Sequence, residues 1–324
     1  MQDTNIGDCN CSYCQVKIED MSFKSTIKKS FFGNYLISIS HCVRSKIEPA
    51  LISDEKAVKR YYKKKSGKQL NLDNPQTFSE KLNWYKLYDR NPLMAKCADK
   101  VTVRDFINEK GYGDCLNKIY GVYDRVQDID LSKLPNQFVI KAAHGSHMNY
   151  IVKDKSTFNW KQAKKMMRTW LHQDIYWSGR EWVYKDLPKR IIVEKYLEDK
   201  TGELSDYKFF CFNGIPCYLQ VDVGRFKDHY RSYYAMDKCQ IDINDNDSFP
   251  RLSNHFPIQD EIFDRMKQIC KDLAKPFQEV RVDFYLVNDK IFFGELTFFD
   301  GGGSTVFSPE EWNVKFSESW IIKK

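Results

Sequence analysis

No apolar run in the 324-residue chain approaches the roughly 18 residues needed to cross a bilayer as a helix, so a membrane-spanning helix is not expected. The opening residues lack the apolar core and small-residue cleavage site of a secretory leader, and a cytosolic protein with reduced thiols is the expectation. Neither an internal repeat nor a low-complexity tract occurs, which excludes solenoids and sets disorder aside for most of the chain. The P-loop signature GxxxxGK[ST] is missing too, so any phosphate chemistry must be built another way.

What is present is the composition of a packed globular protein, with 42% hydrophobic and 15% aromatic residues. Fifty-one Lys and Arg against 44 Asp and Glu leave +7, compatible with an anionic substrate or surface without implying nucleic acid. Basic residues gather in EKAVKRYYKKKSGK from Glu55, which reads as a solvated helix end or as a phosphate or membrane contact. FKSTIKKSFFGNYLISISHCVRSKI, from Phe23, alternates basic and apolar residues and fits either a membrane-surface segment or a core-packed helix with a lysine face. Of ten cysteines, Cys97, Cys115, Cys211, Cys217 and Cys270 read as small buried hydrophobes. Cys9, Cys11 and Cys14 are clustered in DCNCSYCQ, but no well-spaced second half completes a metal site.

Four segments follow: 1–45, polar then basic and amphipathic; 46–95, helical; and two mixed lobes, 96–193 and 194–324. In NPQTFSEKLNWYKLYDRNP, Thr77 and Glu80 form a capping-box pattern that starts a helix, and Pro92 ends it or starts the next. ADKVTVRDFINEKGYGD is a second helix stopping near Gly111, WKQAKKMMRTWLHQDIYW a third with a Met and aromatic stripe, and EIFDRMKQICKDLAKPF a fourth. RIIVEKYL reads as a buried strand, and DYKFFCFNGIPCYLQVDVG as a hairpin about Asn213-Gly214. The order predicts an α+β protein with largely antiparallel sheets.

Two hairpins carry chemistry. In FVIKAAHGSHMNYIVK, Lys141 lies inside a strand, Lys153 closes the returning one, and small residues between them let backbone N–H groups approach a ligand. A lysine inside a buried strand calls for an anion. His144 and His147 read as solvent-facing, since no third metal ligand accompanies them. In EVRVDFYLVNDKIFFGELTFF, a three-residue loop of Asn288, Asp289 and Lys290 would set Asp283 opposite Glu295 and Arg281 opposite Thr297. Val282, Phe284, Leu286, Phe292, Gly294 and Leu296 then form the core face. A two-residue loop would throw the two acids onto opposite faces. Opposed carboxylates about 5 Å apart repel by roughly 3 kcal/mol at an effective dielectric of 20, so a cation is required: Mg2+, or Arg281 and a raised carboxylate pKa in its place.

Taken in order, ADK at 98–100, FVIKAAHGSHMN at 138–149, VEKYL at 193–197 and RVDFY through GELT at 281–297 resemble the ATP-grasp ligases. Within them, the stretches NPQTFSEKLNWYKLYDRNP, ADKVTVRDF, LPNQFVIKAAHGS, DYKFFCFNG and RVDFYLVNDKIFFGELTFF are most similar to the TupA-like proteins of teichuronopeptide and capsular or O-antigen polysaccharide biosynthesis, over about residues 46–310. The resemblance implies an ATP-grasp fold, two α+β lobes clasping ATP behind a mainly helical N-terminal region. It implies that Lys100 and Lys141 contact phosphates while the loop of Gly145 and Ser146, ending at Asn149, closes over them. Glu194, Lys195 and Leu197 would form the adenine hinge and Asp206 the ribose contact. Asp283, Glu295 and Thr297 would hold magnesium, with Arg281 at the reacting group. His147 stands where such loops are expected to have glycine, and Thr297 where asparagine is often the third metal ligand.

The activity so implied is an ATP-dependent carboxylate-amine ligase acting through an acylphosphate, joining an amino acid or other amine to a hexuronic acid of a glycan or its nucleotide- or lipid-linked precursor. Such an enzyme would work in the cytoplasm, with a peripheral membrane contact through the basic N-terminal region and no nucleic acid partner. Asp300 to Ser304, DGGGS, would line the acceptor side or form a plain turn. Competing expectations are a glycosyltransferase, for which DINDND at 242–247 only imitates a metal-binding motif, a kinase that stops after phosphoryl transfer, and a nucleotide- or polyanion-binding scaffold.

Overall fold

The computed structural model describes residues 52–199, 204–225, 228–253 and 256–323, together with Tyr35, Leu36, Ile39, Ser40, Val43 and Ile47. Cys9, Cys11 and Cys14, and most of the segment 1–45, lie outside the described residues. None of the described helices is long and apolar enough to cross a membrane.

From Ile52 onward, four helices come first. Helix α1 (Asp54–Ser66) starts at Ser53, whose hydroxyl accepts from the Lys56 N–H, and stops at left-handed Gly67. Helix α2 (Phe78–Tyr88) carries the expected capping box of Thr77 and Glu80. Pro92 starts helix α3 (Pro92–Ala98) rather than ending α2, its missing N–H being one the first turn leaves unbonded anyway. Helix α4 (Val103–Glu109) follows.

A four-stranded antiparallel sheet is built from β1 (Ile119–Tyr123), β2 (Phe138–Ala142), β3 (Asn149–Val152) and β4 (Ile191–Lys195), in the order β1-β4-β2-β3. Strand β2 alternates, with Phe138 and Ile140 buried and Val139 and Lys141 half-buried. The buried set packs under helix α5 (Trp160–His172) through Ala163, Met166, Met167 and Trp170. A short helix, α6 (Tyr176–Gly179), leads back to β4. Strand β4 runs across the boundary drawn between 193 and 194, so Glu194 and Lys195 stay with this first sheet.

The second sheet is also antiparallel and has six strands in the order β10-β9-β5-β6-β7-β8. These are β5 (Asp206–Phe212), β6 (Ile215–Val223), β7 (Tyr230–Ala235), β8 (Gln240–Ile241), β9 (Glu279–Val287) and β10 (Lys290–Thr297). Asn213 and Gly214, both left-handed, make the tight turn between β5 and β6. One face of the sheet carries Phe209, Val282 and Phe284 and packs on helix α7 (Asp260–Ala274) through Phe263, Met266 and Cys270. On the opposite face Phe210 and Phe212 meet Phe78 of α2, Phe316 and Trp320, just beyond the short helix α8 (Trp312–Lys315). Further along β5, Asp206 and Lys208 follow at alternate positions, and Lys208 pairs with Asp283 of β9.

The β9-β10 hairpin reaches the expected pairing by an unexpected route. Its loop has two residues, Asn288 and Asp289, both left-handed, and Lys290 pairs with Val287. Continued unbroken, that register would set Gly294 opposite Asp283. An extra residue at Gly294 breaks the register between Phe293 and Glu295, and beyond it Glu295 faces Asp283 and Thr297 faces Arg281. Ahead of the bulge the faces are exchanged, so Ile291 and Phe293 enter the core where Phe292 was expected to.

Two further expectations change. His144 is buried, not solvent-facing, with Nε2 2.9 Å from the Trp170 carbonyl and its pKa lowered by burial. Cys97, Cys115, Cys211 and Cys270 are buried as expected, whereas Cys217 is only partly so.

Candidate active site

Lys100, in the turn between α3 and α4, touches both the β2-β3 loop of the first sheet and β10 of the second. Its ammonium donates to the Gly145 carbonyl at 2.6 Å and lies 4.0 Å from Glu295 Oε2. Its backbone N–H bonds the Ala143 carbonyl, so a residue near the second sheet is pinned to the β2-β3 loop. Burial lowers the Lys100 pKa.

Within that loop Gly145 is buried and Ser146, His147 and Asn149 are exposed. His147 has φ 59°, a conformation that favours glycine, which gives physical content to the expectation of glycine at this position. Asn149 pairs with Lys141 across the hairpin. The anion that meets Lys141 in the structure is Glu194, 2.7 Å away on the neighbouring strand. Lys153 lies over the Tyr196 ring, 5.6 Å from its centroid. At the expected hinge the Lys195 N–H bonds the Lys118 carbonyl and the Lys195 carbonyl accepts from the Asn117 side chain, while Leu197 is buried. Asp206 is held by Arg225, with Nη1 3.1 and 3.0 Å from its two oxygens.

Arg281 is the centre of the carboxylate cluster. Its Nε and Nη2 each donate to Asp283 at 2.7 Å, the bidentate geometry a guanidinium favours, and Nη1 donates to Asp300. Nη2 also reaches Thr297 Oγ1 at 3.2 Å, and that hydroxyl donates to Glu295 Oε1 at 3.1 Å. The cation predicted to separate the opposed acids is therefore present as Arg281 itself. Burial pushes Asp283 up to about 6 against the opposing pull of Arg281. For Glu295, burial works upward, but Lys100 and Arg281 outweigh it and hold the carboxyl below its ordinary range. Its side chain is 42% exposed.

Among the described residues no group of three or more His, Cys, Asp or Glu is arranged to hold a metal ion. The donors facing the cleft are nevertheless of the hard type magnesium takes: two carboxylates, of which each Asp283 oxygen carries one N–H and keeps a second lone pair, and a hydroxyl. Such a set fits an ion whose other positions are filled by phosphate oxygens and water.

Sequence reasoning missed a second network on the same face. Lys208, paired with Asp283 across β5 and β9, donates to Asp222, a fully buried carboxylate that also accepts from Gln220, from Arg231 and at 2.8 Å from the His229 ring. Burial works to raise the Asp222 pKa, but Lys208 and Arg231 outweigh it and hold it down. A lysine amid strand aromatics in DYKFFCF carried the same signal as Lys141. In DINDND, Asp245 is taken by Arg231 and Tyr233, and Asp242 pairs with Arg251.

A family model described as TupA-like ATPgrasp matches residues 80–320, well over half of the chain. No curated protein matches. Among solved structures, the D-alanine–D-alanine ligase of Bacillus anthracis complexed with ATP is similar at 14% identity, with 63% of this chain and 54% of that chain covered and a TM-score of 0.38. The ligase of the same name from Helicobacter pylori gives 12%, 75%, 69% and 0.42, and the D-alanyl-alanine synthetase A of Vibrio cholerae O1 biovar eltor gives 10%, 76%, 68% and 0.44. The chain thus spans little more than half of the first of these, and likenesses this distant say nothing of substrate.

Proposed function

Because the chain belongs to the TupA-like ATP-grasp family, we propose that it is an ATP-dependent ligase joining a carboxylate to an amine. A substrate carboxylate oxygen attacks the γ-phosphorus of ATP, the bond from that phosphorus to the β-γ bridging oxygen breaks, and ADP leaves. The amine nitrogen then attacks the acyl carbon, the carbon-oxygen bond to phosphate breaks, and an amide, phosphate and a proton are released. The observation that carries this reading is Lys100, bonded to the Gly145 loop and 4.0 Å from Glu295, because it gathers phosphate-binding and acid groups from both sheets into one cleft.

In this reading Lys100, Lys141 and Lys153, with the loop of Gly145, Ser146 and Asn149, surround the phosphates. The adenosine lies along Glu194, Lys195, Leu197 and Asp206. Asp283, Glu295 and Thr297 would hold Mg2+, which would supply charge neutralisation for the phosphoryl group. Arg281 stabilises the negative charge that grows during acyl transfer, and Asp300 holds it in place.

The carboxylate is proposed to be a hexuronic acid of a capsular or O-antigen polysaccharide or its precursor, and the amine an amino acid. A site at the inner face of the membrane is supported by Leu36, Ile39, Val43 and Ile47, which are helical, exposed and spaced to share one face, and by the exposed Lys56, Arg60, Lys63 and Lys64 of α1. The test is mass spectrometry of products formed with ATP, magnesium and panels of uronic acids and amines. An amide product and stoichiometric ADP support the ligase; a phosphorylated carboxylate accumulating without any need for amine would make it a kinase.

A further inference from the structure

The Asp300–Ser304 turn is held from a helix outside the two sheets. Ser79, Asn83 and Lys86 stand at i, i+4 and i+7 on α2, a single stripe, and all three are buried. Each donates to a backbone carbonyl of the turn or its exit. The Ser79 hydroxyl bonds the Thr305 carbonyl, Asn83 Nδ2 the Gly303 carbonyl at 2.6 Å, and Lys86 Nζ the Gly302 carbonyl at 2.8 Å. Three successive left-handed glycines, Gly301, Gly302 and Gly303, give the turn its shape. A Cβ on Gly303 would lie 2.8 Å from Asn83 Oδ1, so glycine is needed there for room as well as conformation.

The turn is tied at its other end to the reacting cluster. Asp300 accepts from Arg281 and from Thr305 Oγ1, and the Asn246 side chain bonds the Ser304 carbonyl and the Val306 N–H. In a planar trans peptide, C=O and N–H point in opposite directions. A carbonyl of Gly302 drawn toward Lys86 therefore aims the Gly303 N–H away from α2. Besides the Gly302 carbonyl, buried Lys86 feels the Glu181 carboxyl, whose charge works against the burial that lowers the lysine pKa to about 8, so the turn is held by an ammonium that is itself balanced from a third segment.

We infer that Ser79, Asn83 and Lys86 of α2 are positioning residues that fix the triglycine turn, and through Asp300 the direction of Arg281, for the carboxylate substrate and not for the nucleotide. This rests on the ligase reading. The nucleotide-side groups, Lys100, Lys141 and Asp206, lie elsewhere in the cleft and none of them bonds to the turn or to α2.

The experiment compares the full chain with Asn83→Asp, which replaces the donor by an acceptor of the same shape, with Lys86→Met, and with the donor-keeping Lys86→Arg. Amide hydrogen exchange over 299–306, magnesium-ATP affinity and ADP release with D-glucuronate and an amine as probes are measured on each. Loss of one such bond is expected to speed exchange in the turn and raise the KM for glucuronate by about tenfold, with the ATP affinity and KM within twofold of wild type and Lys86→Arg restoring most of the loss. Unchanged glucuronate KM in both damaging variants, or an equal rise in the KM for ATP, overturns the inference. If the wild-type protein releases no ADP with any carboxylate, the ligase reading has failed and exchange decides: acceleration confined to the turn with ATP affinity intact upholds the clamp, and wild-type exchange in both variants overturns it.

Discussion

Replacing Gly294 by alanine tests whether the bulge in β10 sets the two opposed acids. A Cβ there would stand 2.9 Å from the Asp283 carbonyl oxygen and 3.3 Å from its carbon. Ordinary contact for a Cβ begins near 3.4 Å, so one strand must retreat by roughly 0.5 Å to clear the oxygen, and the obstacle is backbone, which has no rotamer to turn away. Overpacking of this kind costs about 1–3 kcal/mol, a modest part of the ~5–15 kcal/mol of a typical domain, and the protein is expected to fold. A displacement of that size at reacting groups is worth about ten- to a hundredfold in rate. Urea unfolding and ADP release at saturating ATP, with the substrates found by the product screen, separate the two effects. Deleting Gly294 supplies the opposite arm: without the extra residue the Phe293-Phe284 register runs on and Glu295 still meets Asp283. The deletion variant is therefore expected to keep more activity than the alanine variant. Alanine with ADP release within twofold of wild type, or deletion more damaging than alanine, would refute the role given to the bulge.

Asp283→Asn and Glu295→Gln should each abolish ADP release, but circular dichroism and urea melts should show Asp283→Asn as the more destabilised, because it leaves the buried Arg281 short of its main partner while Glu295 is 42% exposed. Lys141→Met removes the partner of a nearly buried Glu194, and is expected to cost about 1–3 kcal/mol in unfolding free energy and to raise the ATP KM about tenfold or more. His147→Gly relieves a left-handed residue worth about 1–2 kcal/mol and adds back about 0.5–1 kcal/mol of unfolded-state freedom, so a melt should show it stabilised by about 0.5–1 kcal/mol. Burial pushes Glu181 up to about 7, above its unfolded value, so the native state binds the extra proton and stability falls as pH rises from about 4.3 to about 7; Glu181→Gln should flatten that part of the profile in pH-dependent unfolding.

Much of this architecture could be read from local patterns because local physics determines it. The capping box at Thr77 and Glu80, the Asn213-Gly214 turn and the Met and Trp stripe of α5 each rest on residues a few positions apart. The β9-β10 hairpin is more instructive. Asn288 and Asp289 have the composition of a two-residue turn, and a lone glycine inside an alternating strand is a sign of a bulge. Each sign alone gives the wrong face to one half of the hairpin, and only both together give the observed one. The partners of Lys141 and Arg281 could not be read in this way. Glu194 lies 53 residues from Lys141 in sequence, and Asp300 reaches Arg281 only because a turn of three left-handed glycines is clamped by α2.

The same distinction explains how a fixed charge cluster can serve a moving reaction. Arg281 is bound on three sides, by Asp283, Asp300 and Thr297, and a cation so held cannot follow its substrate. Preorganisation of this kind is useful only if the reacting group is brought to the arginine. On the proposed reading the partly exposed Glu295, the Lys100 ammonium 4.0 Å from it and the remaining lone pairs of Asp283 receive the phosphate chain and its magnesium. On that reading the cleft divides: a rigid side at Arg281 and the triglycine turn for the acyl group, and a second side at Lys100, Asp283, Glu295 and the β2-β3 loop for the nucleotide and its magnesium. Substitutions on the first side should act mainly on the carboxylate KM and kcat, and those on the second mainly on the ATP KM, and a kinetic map in which the two sets of effects are mixed would deny that division.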